Sequence, residues 1–232
     1  MTSINKDTKL MERLSYSYFS IGLVEIIAES MSYQPLILFT RIAAPFFLIT
    51  LYFLKSIKQN AVFYALMVLL LISNVLFASK APYALQIAVI TFLFHRIAMI
   101  VLVFQSIASK NYLYILLATF PFLLIFFYLI SVTNELTDIQ INVLIFQSIL
   151  ISILSGMALS SYLVSENRQN SWLLISTLLL IGLRFIVFIE QYFLSDLSLP
   201  IYRPMAVLLN IFAFFTFYKF VIAAEANENV AL

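Results

Sequence analysis

The sequence predicts an all-α fold, a polytopic bundle of about eight transmembrane helices, and three observations support this prediction. Hydrophobic residues make up 63% of the 232-residue chain and charged residues only 10%, against about 45–50% and about 25% in soluble domains. The apolar residues form continuous runs close to the roughly 20 residues needed to cross a bilayer. Short stretches that contain proline, lysine and turn-forming residues separate these runs.

Eight apolar segments follow one another along the chain, and each becomes one predicted helix. They are Tyr16–Ser32, Pro35–Leu54, Ala61–Ser79, Tyr83–Phe104, Tyr112–Ser131, Ile139–Val164, Trp172–Phe193 and Ile201–Ala223. The first segment is short and carries two glutamates, so an interfacial position that leaves seven spans is the alternative. Pro121 lies inside the fifth segment and predicts a kink there. The continuous apolar runs argue against the alternating pattern of a membrane β-barrel.

Short polar connections justify these boundaries in order along the chain. Turn-forming residues occur at Gln34-Pro35, Ser79–Pro82, Thr133–Asp138, Glu166–Asn170 and Ser195–Pro200. Such connections leave no room for a soluble domain, so antiparallel neighbours in one bundle are expected. The predicted organisation is a cytoplasmic tail at 1–15, a single transmembrane helical domain at 16–223 and a second cytoplasmic tail at 224–232.

The distribution of lysine and arginine predicts the orientation of the bundle. One face carries Lys6, Lys9, Arg13, Lys55, Lys58, Lys110, Arg168 and Lys219, and the other carries Lys80 and Arg203. Positively charged loops remain in the cytoplasm, so both termini are predicted to be cytoplasmic. The expected location is a bacterial plasma (inner) membrane, which the chain crosses several times.

Composition argues against several classes of function. The net charge of +2 gives no basis for binding nucleic acid, and three glycines cannot build a Gly-rich phosphate loop. One histidine and no cysteine argue against a zinc site, and no GxGxxG, P-loop, HExxH or GxSxG motif occurs. We therefore expect no metal and no cofactor. Membrane lipids are the expected partners, with other membrane proteins as an alternative.

Polar side chains inside the predicted segments are the candidate functional residues. A charge near the bilayer centre costs roughly 2.5–3.5 kcal/mol even on a mild insertion scale, and such residues mark sites or pathways. The head-group-binding candidates are Arg41, Asn74, Arg96, Arg184 and Glu190, and the catalytic candidates are His95, Glu25 and Glu29. The three arginines and three glutamates could also neutralise one another with no ligand at all.

Each candidate has a functional and a structural interpretation. Glu25 and Glu29 are four residues apart and share one helix face, so they form an acid–base pair or neutralise Arg41. Arg41 and Arg184 keep their charge at neutral pH, so they bind a phosphate or carboxylate head group or form structural ion pairs. His95 suits a proton shuttle or a hydrogen bond between helices.

Four short motifs carry a resemblance to a known family. They are Gln34-Pro35-Leu36 in the second segment, Ser73-Asn74 in the third, Phe92-Leu93-Phe94-His95 in the fourth, and Leu183-Arg184 with a trailing Tyr192 or Phe193 in the seventh. From about Ser32 to Glu225, the chain resembles the YhhN/lysoplasmalogenase family of eight-span membrane hydrolases. The family is thought to cleave the vinyl ether of lysoplasmalogens with buried acidic residues, a reaction that needs a general acid and a water-orienting base.

The departures from the family pattern shift the functional hypothesis. Asn74 and Arg184 stand where the family has aspartates, Gln34 stands where it has lysine, and His95 alone remains of the polar set. The resemblance therefore implies the fold, with a lipid or amphiphile bound in an intramembrane polar pocket and without the hydrolase activity. One alternative is an ether-lipid hydrolase with a relocated acid pair, Glu25 and Glu29. The other is a non-enzymatic membrane subunit of a larger complex.

Overall fold

Eight α-helices in series form the described part of the chain. The structure is a computed structural model that describes residues 2–79, 81, 83–107, 110–133, 138–193 and 201–230. The helices are α1 (Thr2–Ser30), α2 (Gln34–Lys55), α3 (Ala61–Ala78), α4 (Ala84–Ser106), α5 (Tyr112–Val132), α6 (Asp138–Val164), α7 (Arg168–Tyr192) and α8 (Tyr202–Val230). There is no strand in these ranges, which confirms the all-α prediction. The predicted turns at 80, 82, 134–137 and 194–200 lie outside the described residues.

Six of the helices are long and apolar enough to cross a bilayer. They are α2, α4, α5, α7, the part of α6 from Gln140 and the part of α8 up to Asn227. Helix α3 has a shorter apolar stretch, Ala61–Phe77, and α1 is not among the six. The helices fit an integral membrane protein that crosses the bilayer several times. Six candidate spans are present, and the predicted eight are not confirmed.

Capping asparagines explain where three of the helices begin. The side chain of Asn60 accepts a hydrogen bond from Val62 N (2.8 Å) at the start of α3. Asn111 accepts a hydrogen bond from Leu113 N (3.1 Å) at the start of α5. Asn167 accepts one from Asn170 N (2.8 Å) at the start of α7. Each side chain satisfies a backbone N–H that the first turn leaves unpaired. The predicted starts of α3 and α5 therefore agree with the structure.

Helices α1 and α8 extend beyond the apolar segments that predicted them. Helix α1 begins at Thr2 and α8 continues to Val230, so most of both predicted tails is helical. Their polar residues include lysine, glutamate and arginine, which favour helix about as well as leucine. No proline or glycine interrupts the chain before Gly22. The hydropathy pattern marked the apolar part of each helix and not its end.

Contacts between helix ends confirm the antiparallel arrangement. At one end of the bundle, Gln169 at the start of α7 donates to the Ser106 carbonyl at the end of α4 (2.8 Å). Tyr52 near the end of α2 donates to Glu225 near the end of α8 (2.5 Å). The other ends of these helices, together with the end of α1, meet at the opposite end of the bundle. Both chain termini therefore lie at the same end.

Helix α5 lies at the periphery, and its backbone approaches only that of α6 in the described part of the chain. Gly156 of α6 allows this approach. A Cβ at that position would lie 2.8 Å from both the backbone N and Cα of Thr119, closer than atoms in a packed interior can come. The outer face of α5 exposes large apolar side chains such as Leu116, Leu117 and Phe120, as a lipid-facing helix does.

The α5–α6 contact predicts the effect of a single methyl group. We expect Gly156→Ala to destabilise the protein by about 1–3 kcal/mol, because overpacking forces the α5 backbone to move. The matched control is Gly182→Ala in α7, where the new Cβ would lie 3.4 Å from Leu209 Cδ1, an ordinary contact. Thermal unfolding in mild detergent measures both. Equal melting temperatures for the two variants would contradict the close approach.

Candidate functional site

A cavity of about 1170 Å³ lies at the end of the bundle opposite the chain termini. It is bordered by the ends of α1, α3 and α7 and by the beginnings of α2 and α8, which the antiparallel arrangement brings together. Its charged lining residues are Glu25, Glu29, Arg41, Glu190 and Arg203, and its apolar walls include Leu48, Leu70, Phe77, Val207, Ile211 and Phe214. The cavity therefore combines a polar part with an apolar part.

Arg41 joins α1 to α2 through two carboxylates. Its Nη2 lies 2.5 Å from Glu29 Oε1, and its Nε lies 3.5 Å from Glu25 Oε1. Both glutamate side chains are less than a tenth exposed, whereas Arg41 is about a quarter exposed. The two glutamates share one face of α1, as their spacing predicted, and a tight turn with a left-handed residue, Ser32 (φ 52°), returns the chain to α2. The structural interpretation of the pair, neutralisation of Arg41, agrees with this geometry.

Asn74 of α3 donates a hydrogen bond to a backbone carbonyl that a proline in α2 leaves unpaired. Pro45 lies inside α2, and because proline has no N–H, the carbonyl four residues earlier loses its helical hydrogen bond. That carbonyl belongs to Arg41, and Asn74 Nδ2 donates to it at 3.0 Å. In an apolar environment a free carbonyl needs such a replacement donor. Asn74 thus lines the cavity while it stabilises the helix that carries Arg41.

Glu190 forms an ion pair with Arg203, across the junction of α7 and α8. Arg203 is well exposed, and the sequence identifies it only as one of the loop charges. Its position at the start of the last apolar segment was the signal that it faces the end of the preceding helix. Among the described ion pairs, Glu190 pairs with Arg203 and not with one of the three candidate arginines, as the structural alternative had it. The charged part of the cavity thus holds three carboxylates and two guanidiniums.

Three basic candidates, His95, Arg96 and Arg184, do not line the cavity. His95 is fully buried, stacks on Phe92 (5.6 Å between ring centroids) and meets Phe214 edge to face (5.6 Å). Arg96 is buried beside it, with Cζ 5.3 Å from the Phe92 centroid. Arg184 has its Nε and Nη2 buried and without a hydrogen-bond partner. His95 therefore does not line the cavity that Glu25 and Glu29 line.

The opposite end of the bundle holds a smaller cavity of about 320 Å³. Lys55, Arg168, Lys219 and Trp172 are among its lining residues, and none of its lining residues also lines the larger cavity. Beside it, Glu225 accepts hydrogen bonds from Tyr52 (2.5 Å) and Ser56 (2.8 Å). Glu225 is not among the residues predicted from the sequence, although an acidic residue at the end of a predicted span is a visible signal.

Within the described residues, no group of three or more histidine, aspartate or glutamate side chains is placed to hold a metal ion. No protein-family model, curated protein or solved structure matches the chain. The resemblance to the YhhN/lysoplasmalogenase family stays a prediction.

The Pro45–Asn74 arrangement predicts a coupling between two substitutions. Asn74→Leu removes the donor and should cost about 1–3 kcal/mol, the usual cost of leaving a buried carbonyl unpaired. In a Pro45→Ala background, the restored N–H of residue 45 can bond the Arg41 carbonyl, so Asn74→Leu should cost less than half as much. Thermal unfolding of the four proteins in detergent measures this coupling. The same loss of melting temperature in both backgrounds would refute it.

The Arg41 ion pairs predict a second effect on stability. Arg41→Met leaves two buried carboxylates without a cation and should destabilise the protein by about 2–4 kcal/mol, since breaking a buried pair costs about 3–5 kcal/mol and Arg41 is partly exposed. Adding Glu25→Gln and Glu29→Gln should recover at least half of the loss.

The control is Arg203→Met, because the exposed Arg203 pair should contribute only about 0–1 kcal/mol. Chemical unfolding in detergent gives the free energies. A triple variant no more stable than Arg41→Met would count against the ion-pair explanation.

Proposed function

We propose that the protein binds a lipid or single-chain amphiphile in the larger cavity, without hydrolysing it. The observation that carries this proposal is the size of the cavity, together with a lining that is charged in one part and apolar in another. Ligand sites have volumes of about 300–1,000 Å³, and this cavity reaches about 1170 Å³. It is large enough for a polar head group together with part of an apolar chain.

The charges of the cavity support one class of head group. Glu25, Glu29 and Glu190 are carboxylates, and Arg41 and Arg203 are guanidiniums, so one carboxylate is in excess. A purely anionic head group would face this excess negative charge. A zwitterionic head group offers a phosphate to a guanidinium and an ammonium to a carboxylate, and it matches the mixture better.

The ion pairs also support the proposal that all eight helices cross the membrane. The strongest objection to α1 as a span was its two buried glutamates. Because Arg41 pairs with both, the cost of placing them in an apolar environment falls. The apolar stretch of α3, Ala61–Phe77, reaches about 26 Å at 1.5 Å per residue, close to the thickness of the hydrocarbon core.

The alternative hydrolase with a relocated acid pair has less support. It needs His95 beside Glu25 and Glu29 within reach of one substrate. His95 is in contact with Phe214, a residue of the cavity wall, but does not itself line the cavity. To reach an ether lipid bound in the cavity, a proton from His95 would have to pass the apolar ring of Phe214, which cannot relay it.

Native mass spectrometry of the protein released from mild detergent tests the proposal. We expect the wild type to retain an amphiphile that Val187→Trp, which fills the cavity, retains several-fold less. Leu117→Trp is the matched control, because Leu117 lies on the exposed face of α5 and outside the cavity. Melting temperatures confirm that each variant is folded.

Two outcomes would overturn the proposal. Equal retention by all three proteins would place any bound amphiphile outside the cavity. Release of aldehyde from lysoplasmalogen above the level of a Glu25→Gln variant would replace binding by hydrolysis.

A further inference from the structure

Three basic side chains line the smaller cavity, at the end of the bundle that holds both chain termini. Lys55 ends α2, Arg168 begins α7 and Lys219 lies in α8, and all three line the same cavity of about 320 Å³. None of the described residues that line this cavity is an aspartate or a glutamate. Because the three cations come from three helices, it is the packing of the bundle that brings them together.

The ion pairs of the described residues leave these three cations without a carboxylate. All of those ion pairs involve arginines that line the larger cavity, at the opposite end of the bundle. Glu166 and Glu225 flank lining residues in the sequence, but neither lines the smaller cavity. Tyr162 donates a hydrogen bond to Glu166, and Tyr52 and Ser56 donate to Glu225. The lining therefore carries positive charge that no described side chain within it balances.

Lys219 carries its charge into an apolar helix. It is half-buried and lies within the candidate span Tyr202–Asn227, about 12 Å before the end of that span at 1.5 Å per residue. Its Nζ lies 5.1 Å from the centroid of the Phe215 ring and 5.8 Å from that of Tyr218. These rings attract the ammonium but do not cancel its charge. A charge at such a depth is costly without a partner, and an anion in the cavity would provide one.

Hydrogen bonds hold the walls of the smaller cavity in place. Gln169 of α7 accepts a hydrogen bond from Asn227 Nδ2 of α8 (2.8 Å) and donates one to the Ser106 carbonyl of α4 (2.8 Å). Asn167 caps α7 by accepting from Asn170 N (2.8 Å). Because α7 begins at this cavity, the positive end of its helix dipole adds to the field of the three cations. A site held by such contacts needs little reorganisation to bind a ligand.

We propose that Lys55, Arg168 and Lys219 bind a phosphate group in the smaller cavity. Basic pockets between membrane helices bind the head groups of anionic lipids, and a guanidinium can bind two phosphate oxygens in parallel. The volume of about 320 Å³ is at the lower end of the range for ligand sites, about 300–1,000 Å³, and suits a head group without its acyl chains. The phosphate belongs to an anionic lipid head group or is free inorganic phosphate, since the chemistry of recognition is the same.

Removing cations from the cavity should weaken the binding of the phosphate group. Lys219→Met keeps most of the side-chain length without the charge and should lower the apparent affinity about fivefold. Arg168→Gln also removes the bidentate donor and should lower it about tenfold. The double variant should show no measurable binding. The matched control is Lys110→Gln, because Lys110 is an exposed lysine that also lies over an aromatic ring, 4.8 Å from the Phe104 centroid, but does not line the cavity.

Two probes distinguish the sources of the phosphate group. Protein in mild detergent is titrated with inorganic phosphate against sodium chloride of equal ionic strength, and its melting temperature is recorded. In a second titration the micelles receive phosphatidylglycerol, with zwitterionic phosphatidylcholine for comparison. The wild type should gain several degrees, because a ligand that binds only the folded state stabilises it. A response to inorganic phosphate shows that the phosphate group alone is sufficient, whereas a response confined to phosphatidylglycerol indicates a lipid head group.

The comparison between proteins decides the result, because phosphate also stabilises folded proteins by being excluded from their surface. Wild type and double variant that respond equally to both probes overturn the inference. An equal loss of response in Lys110→Gln overturns it as well, since the effect would then be one of net charge. Arg168→Gln alters an exposed residue and carries the test alone if Lys219→Met does not fold. Val187→Trp, which fills the larger cavity, should keep the response, so the proposed function and this inference can fail separately.

Discussion

In an apolar environment, every charge and every free backbone carbonyl of a membrane helix needs a partner within the protein or its ligands. Most polar contacts of this bundle follow from that constraint. Arg41 is held between Glu25 and Glu29, and its own carbonyl, freed by Pro45, is bonded by Asn74. Pro45 of α2 thus leaves a carbonyl that Asn74 of α3 bonds, and this carbonyl belongs to Arg41, the residue that joins α1 to α2.

The same constraint separates the two groups of candidate residues. Around the larger cavity, each glutamate pairs with an arginine, and both of these arginines, Arg41 and Arg203, are partly exposed. Away from that cavity, Arg96 of α4 contacts the Phe92 ring and the Met99 sulfur, and no ion pair among the described residues involves Arg96 or Arg184.

The sequence predicted the helices better than the contacts between them. Continuous apolar runs placed α2 to α7 within a few residues, and Asn60 and Asn111 show why the starts of α3 and α5 were clear. The spacing of Glu25 and Glu29 also predicted their shared face. These features are local, because they depend on helix periodicity and on capping.

The partner of Glu190 and the isolation of His95 could not be predicted in this way. Helices that are apolar on all sides carry little information on which face turns inward. The rotation of α4 decides whether His95 meets Phe214 or the glutamates, and that rotation depends on packing with several neighbours. The starting point of α1 was missed for a simpler reason, since hydropathy detects the apolar part of a helix and the polar turns before it are helical too.

The ends of the bundle differ, and this difference gives the molecule a direction. One end holds the large cavity, while at the other Tyr52, Ser56 and Glu225 tie α2 to α8, and the two cavities share no lining residue. These two cavities are therefore distinct. An amphiphile bound in the large cavity as proposed would exchange with the leaflet at that end of the bundle, so its occupancy would follow the lipid composition of that leaflet alone.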